Sequence, residues 1–189
     1  TDTGGMSGDA TGGDDATADG GGDTGGGGPD CSSPDELEGP IEEDKVLSPD
    51  DAECLVVGSV VEVSANLTIE PGVGLLFESG AGLSINKGTL TAEGTAEEPI
   101  LMTGTEKTRG HWKGIQFINT KSSKNKLDYV TIEYAGGGSF RGAGNGSLVL
   151  NATGIYGSPL RVEIENTTVR QSESAGFWAE QGSNIAAFS

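Results

Sequence analysis

The sequence predicts an all-β fold in which short strands stack as successive coils of chain. Three observations carry that reading. From residue 55 onward, apolar residues recur with period two in short bursts that Gly or Pro ends. Two pairs of stretches nearly repeat one another. "ANLTIEPG" from Ala65 matches "AGLSINKG" from Ala81 at an offset of sixteen residues, and "LDYVTIE" from Leu127 matches "IENTTVR" from Ile164 at thirty-seven. Finally, no window sustains helical spacing, and 33 Gly residues would interrupt any long helix.

In chain order, the bursts are "VVEV" at 60–63, "LTI" at 67–69, "LLF" at 75–77 and "LSI" at 83–85. "ILM" at 100–102, "GIQFI" at 114–118, "LDYVTIEY" at 127–134, "LVL" at 148–150 and "LRVEI" at 160–164 follow. Many short strands can build a sandwich, a barrel or a stack of rungs. A sandwich needs hairpins, and the strongest hairpin dipeptide, Asn145-Gly146, occurs once. The repeats instead set like residues on successive strands. By the shorter offset Ile69 should lie over Ile85, with Gly72 and Gly88 turning matching corners. Leu67, Ile69, Leu83, Ile85, Ile132 and Val169 should point inward.

Charge divides the chain. Residues 1–54 hold sixteen acids and one base, Lys45, whereas residues 55–189 hold thirteen acids and ten bases. A chain at net charge −18 lacks the basic footprint that a nucleic-acid partner requires. No run of eighteen apolar residues is present to form a membrane-spanning helix. Residues 1–30 contain twelve Gly and seven Asp, with Met6 the one large apolar side chain. Such a segment cannot offset about 1–2 kcal/mol of backbone entropy per residue. Residues 1–34 are therefore expected to be a disordered acidic tether, and residues 35–189 the folded domain. Asp15 and Asp19 before Gly20 resemble the start of an EF-hand loop, but the closing Glu and the flanking helices are missing. The chain opens on Thr1 without Met, as a mature or trimmed fragment would. It ends at "NIAAFS" without a polar cap, so further rungs are expected beyond Ser189.

The stretch "LTIEPGVGLLFESGAGLSINKGTLTAEGTAEEPILMTG", followed by "WKGIQF", "LDYVTIEYAG" and "ENTTVRQSESAGFW", resembles the pectin-lyase-like right-handed parallel β-helices. It is most similar to bacterial secreted or lipid-anchored proteins with such repeats. Three of their rungs match in order, at Thr68 to Val73, Leu90 to Ile100 and Trp112 to Ile115. The resemblance covers about residues 41–189. It implies a right-handed parallel β-helix solenoid, an extracellular or outer-surface location, and a tether following a lipidated cysteine upstream of Thr1. It does not imply one activity, because that superfamily includes lyases, hydrolases, adhesins and spacers.

Cys31 and Cys54 are the only cysteines. An even count in a secreted chain predicts a disulfide, whereas a reducing cytosol would leave two free thiols. Lys107, Arg109, Lys113, Lys121, Lys124 and Lys126 fall within twenty residues that contain no acid. They are the candidate contact for an acidic glycan or for the chain's own acidic tether, or otherwise a solvated loop. No metal site and no cofactor are expected: His111 is the only histidine and residues 55–189 contain one Asp, Asp128. Glycosidases need two carboxylates about 5–9.5 Å apart. Asp128 and Glu133 should face opposite ways on one regular strand, while Glu163 and Glu165 share a solvent face with inward Val162 and Ile164 between them. The adjacent Asp50 and Asp51 precede the rungs. Trp112, Trp178, Tyr129 and Tyr134 could form a sugar-stacking platform, or serve in the core and at rung ends. The sequons at Asn66, Asn145, Asn151 and Asn166 would matter in a eukaryotic secretory pathway, and stacked inward Asn side chains are another use for them. The functional expectation is a non-catalytic extracellular module with a structural or glycan-binding role. A polysaccharide lyase or glycoside hydrolase whose site is incomplete in this chain is the alternative.

Overall fold

Most strands form where apolar residues alternate, and strand length runs from two residues in the acidic β1 (Asp35–Glu36) to six in β13 (Gly146–Asn151). The first circuit is β1, a single bridge from Ile41 to Val63, and β2 (Lys45–Leu47). The second is β3 (Cys54–Val57), β4 (Val60–Val63) and β5 (Asn66–Ile69). The third is β6 (Gly74–Phe77), β7 (Gly82–Asn86) and β8 (Thr89–Glu93). The fourth is β9 (Ile100–Gly104), β10 (Gly114–Ile118) and β11 (Lys126–Asp128). The fifth is β12 (Val130–Glu133), β13 and β14 (Leu160–Glu165), and the sixth is β15 (Thr168–Arg170), β16 (Ala175–Ala179) and β17 (Ser183–Phe188). This computed structural model describes residue 1 and residues 28–120, 122–140, 144–152, 160–179 and 183–188. Most of the expected tether, with Asp15, Asp19 and Gly20, lies outside the described residues, and so does Lys121.

Each circuit visits three sheets in the same order. Among the described residues the sheets hold six, five and six strands, and each of these pairs in parallel with its counterpart one circuit away. The protein is thus all-β, with three parallel sheets, an arrangement compatible with a parallel β-helix or solenoid. No helix among the described residues is long and apolar enough to cross a membrane.

The sheets enclose the core because each strand sends alternate side chains inward. Leu55, Leu75, Met102 and Ile132 form one inward column on the first sheet. Val61, Leu83, Ile115 and Leu148 form one on the second. Leu47, Ile69, Ala92, Leu127 and Ile164 form one on the third. All are buried, and burying one large aliphatic side chain contributes about 1.5–3 kcal/mol. At one position an aromatic pair replaces the column. Gly104 lies opposite Phe77 and offers no side chain, so the Trp112 ring stacks on Phe77 instead, centroids 3.9 Å apart and planes 5° apart. Trp112 is fully buried, and its Nε1 donates to the Glu133 carbonyl at 2.8 Å. Trp112 therefore belongs to the core.

Of the two repeats, the longer is the true register. Leu127 pairs with Ile164, Thr131 with Thr168 and Ile132 with Val169. Corner conformations repeat at the same offset: Tyr129 and Asn166 have φ of 48° and 42°, and Tyr134 and Gln171 have 61° and 55°. The shorter offset is corrected. Ile69 pairs with Ala92 on the third sheet, whereas Ile85 pairs with Val63 on the second. The two segments look alike because strands on different walls face one interior and obey one alternation. Gly72 and Gly88 accordingly turn different corners. Gly72 adopts φ 81°, whereas beyond β7 Lys87 takes the left-handed conformation, φ 69°. Gly88 is instead required by closeness, since a Cβ there would strike the carbonyl oxygens of Ala65 and Val63. Leu67, Ile69, Leu83, Ile85 and Ile132 are inward and buried, and Val169 is half-buried against the core. "LDYVTIEY" is also two strands, β11 and β12, meeting at Tyr129, so Asp128 and Glu133 lie on different sheets rather than on opposite faces of one.

Cys31 and Cys54 form a disulfide, with Cα atoms 5.2 Å apart. Cys54 faces outward from β3, and the following circuit leaves room for the bridge by placing Gly74 beside it. A Cβ at Gly74 would lie 2.6 Å from Cys54 Sγ and 2.9 Å from Cys31 Sγ.

Two outcomes follow from this packing. Ile85→Asp should abolish the cooperative unfolding transition or lower the unfolding free energy by several kcal/mol, because an unpaired carboxylate would replace a core methyl surface. Ile85→Val should cost only about 1 kcal/mol in the same urea titration. Replacing both cysteines with Ser should lower stability by about 3 kcal/mol, and Gly74→Ala should cost about 1–3 kcal/mol in the oxidised protein through overpacking.

Candidate binding groove

The alternation that fills the interior also dictates what the second sheet shows to the outside. In β10, Ile115 and Phe117 point inward, so Gln116 and Ile118 point outward. Register then aligns Glu62, Ser84, Gln116, Val149 and Trp178 in one outward column across β4, β7, β10, β13 and β16. Asn86 and Ile118 adjoin it. Phe140, from the connection between β12 and β13, closes over Gly82, its Cζ 3.0 Å from where a Cβ would be. Of these, all but Gly82, Val149 and Trp178 line, with Val60 and Lys113, an open groove of about 510 Å³. It ends toward the fifth circuit, where the outward Ser147, Val149 and Asn151 are all buried.

Most polar groups along the groove have partners. Asn86 Nδ2 donates to Glu62 Oε1 at 2.9 Å, and Lys113 Nζ donates to the Ser139 carbonyl at 3.4 Å. Gln116 differs. Its side chain is 1% exposed, and its Nε2 has no hydrogen-bond partner among the described residues. A buried donor left unmade costs about 1–3 kcal/mol. The outward placement of Gln116 is legible from the alternation in "GIQFI"; that Phe140 would line the same groove is not.

The bases among the described residues meet different surroundings. Lys107 Nζ is 3.3 Å from Glu133 Oε1, 2.9 Å from Thr103 Oγ1 and 5.4 Å from the Tyr134 ring centre. Arg109 donates to Gln171 Oε1 at 3.0 Å from Nη2. Lys113 flanks the groove, and Lys124 lies before the third sheet, its carbonyl accepting from Thr91. Lys126, outward on β11, sits among four carboxylates. Glu93, Asp128, Glu163 and Glu165 lie 3.1, 3.5, 3.6 and 3.7 Å from its Nζ. The hydrogen bond to Glu93, aided by the charges of Glu93, Asp128 and Glu165 and opposed by partial burial, raises its pKa well above the ordinary lysine value. Its ammonium occupies the centre of that acidic group.

Glu133 is held by bases in the same way. Arg170 Nε is 2.8 Å from Oε2, and Thr103 donates to Oε1 at 2.9 Å. Burial, the largest influence, opposes ionisation, yet the bonds from Arg170 and Thr103 with the charge and bond of Lys107 hold its pKa below the ordinary glutamate value. His111 also takes part in a chain: its Nε2 is 2.9 Å from Thr105 Oγ1, and its Nδ1 is 3.8 Å from Glu106 Oε2. The order of hydroxyl, imidazole and carboxylate resembles a triad, and Thr105 Oγ1 also lies within hydrogen-bond reach of the Phe77 carbonyl at 3.3 Å.

The aromatic residues are dispersed as well. Trp112 is core, Tyr129 and Tyr134 occupy corners, and Trp178 is 43% exposed on the sixth circuit against Gly144. Among the sequon residues, Asn66 bonds Asp44 and Thr89, Asn166 bonds Asp128, and Asn151 is buried. A buried amide that the sequence reading missed belongs to Asn125. It is fully buried, accepts from the Leu90 amide at 3.1 Å and donates to Thr120, Ser122 and Arg161. Its four bonds close the loop before β11, which one Asn between two lysines in "KNKL" gives little means to foresee.

Compared with known proteins, the chain matches no family model, no curated protein and no solved structure.

The sign of the Glu133 contribution is fixed by its depressed pKa. It stabilises the fold above the unfolded glutamate value of about 4.3 and is lost as pH falls through the lowered folded value. Glu133→Gln should therefore destabilise the protein at neutral pH and flatten the acid limb of a stability-against-pH profile. Thermal melts of both proteins between neutral and acid pH measure this.

Proposed function

We propose that this chain is a right-handed parallel β-helix domain of the pectin-lyase-like type. It serves as a non-catalytic extracellular or cell-surface module with a structural or glycan-binding role. Handedness and family rest on the sequence resemblance, and the solenoid architecture is supported by stacked circuits with in-register parallel pairing. The Cys31–Cys54 disulfide supports an oxidising location.

The observation that carries the non-catalytic reading is the state of the carboxylates. Catalysis of glycoside cleavage asks one carboxyl to hold a proton near neutral pH and another to face it across the scissile bond. Here Glu133 is kept ionised by Arg170, Thr103 and Lys107, and the four acids of the third sheet are gathered around Lys126. These are the contacts of structural ion pairs. The same contacts use up Lys107 and Lys126 from the basic run, which leaves an acidic glycan only scattered cations to meet.

The test is a product assay on purified protein with pectate, alginate and neutral polysaccharides, with and without calcium. No reducing ends or unsaturated uronates should accumulate. Turnover that disappears in Asp128→Ala or Glu133→Ala would overturn the reading and favour the lyase or hydrolase alternative.

A further inference from the structure

The structure assigns a ligand site to the groove on the outer face of the second sheet: it takes an uncharged oligosaccharide, one of whose oxygens accepts a hydrogen bond from Gln116 Nε2. This rests on the reading of the chain as a binding module and names its site and ligand class.

The first ground is the orphan donor. Gln116 is nine-tenths or more buried, lines the groove and finds no partner for Nε2. A donor so placed is satisfied when an acceptor lies in the groove. The second ground is the mixture of groups around it. Ser84 and Asn86 offer neutral hydroxyl and amide groups, while Val60, Ile118 and Phe140 offer apolar surface. A sugar ring presents both hydroxyls and C–H faces, so it fits both kinds of lining at once. The volume, about 510 Å³, lies within the range of small-molecule sites, about 300–1,000 Å³. From Glu62 through Ser84 to Gln116 the column crosses two strand spacings, about 10 Å, which suits a short oligosaccharide rather than one ring.

Charge selects among glycans. Glu62 and Lys113 offset one another, and the Glu62 carboxylate sits beside Ser84, where a uronate would meet like charge. A neutral sugar meets no such penalty. Extended peptides are disfavoured for a different reason. They bind sheets by pairing with a free edge, whereas β7 and β10 are hydrogen-bonded to strands on both sides. A peptide laid across the face would leave its backbone groups unpaired.

The experiment titrates the protein with cello-, xylo-, manno- and chito-oligosaccharides beside oligogalacturonate, by calorimetry and by the ¹⁵N side-chain amide signal of Gln116. At least one neutral oligosaccharide should bind, shift that signal and resist added salt. Gln116→Met should weaken it about tenfold without lowering Tm, since the change removes an unsatisfied donor. Thr68→Ala, on the third sheet, should leave binding unchanged. Failure of every neutral oligosaccharide to bind, or binding unchanged in folded Gln116→Met, would overturn the site. Salt-sensitive binding confined to oligogalacturonate, or selection of a peptide in place of any sugar, would overturn the ligand class. A lost groove with no turnover leaves the module reading intact. Cleavage of a bound oligosaccharide overturns that reading, while its dependence on Gln116 still decides the site.

Discussion

Parallel pairing of each strand with its counterpart one circuit away is the interaction on which everything else depends. It fixes register, and register places Leu75 between Leu55 and Met102, and Leu83 between Val61 and Ile115. A slip of one residue on any wall would turn that strand's apolar residues outward. The interior therefore disciplines all three sheets together. Circuit length, by contrast, is free. Partners are 20 residues apart at Leu55 and Leu75, 22 at Val61 and Leu83, and 37 at Leu127 and Ile164. Insertions go into the corners, where Phe140 and Asn125 lie, and leave the strands alone.

The outer faces use the same spacing for other purposes. On the third sheet, Glu93, Asp128 and Glu165 would repel one another along the column, and Lys126 in the neighbouring column answers all three. On the first, Glu133 joins Lys107 of the fourth circuit's corner to Arg170 of the sixth circuit. On the second, the outward column is nearly uncharged, and there the groove lies. One backbone arrangement thus carries two faces tied by ion pairs and one left open to a ligand.

The fold was legible because alternation and repetition survive in single letters. The offset between Leu127 and Ile164 gave true partners, since both segments cross the same pair of sheets through the same corner. The offset between Ile69 and Ile85 misled, since inward-facing strands on different walls look alike in composition. Of the candidate residues, Cys31 and Cys54 were legible from their count alone. The surroundings of the basic run were not legible, since carboxylates from other circuits reach Lys107 and Lys126. Gln116 escaped notice because a buried amide without a partner is a property of tertiary packing, which single letters do not display.

The disulfide has a mechanical consequence. Cys31 and Cys54 are 23 residues apart in sequence, and the whole first circuit, β1 and β2 included, lies between them. Tension applied to the chain ahead of Cys31 passes through the sulfurs directly into β3. The first circuit is thereby taken out of the path of force and cannot be peeled away from the end. Stretched from that side, the oxidised protein yields only when β3 shears from β6 across the Cys54–Gly74 to Val57–Phe77 pairs. The reduced protein starts to unwind at Asp35. The redox state of one bond thus chooses whether a pull unzips the stack strand by strand or loads several hydrogen bonds at once.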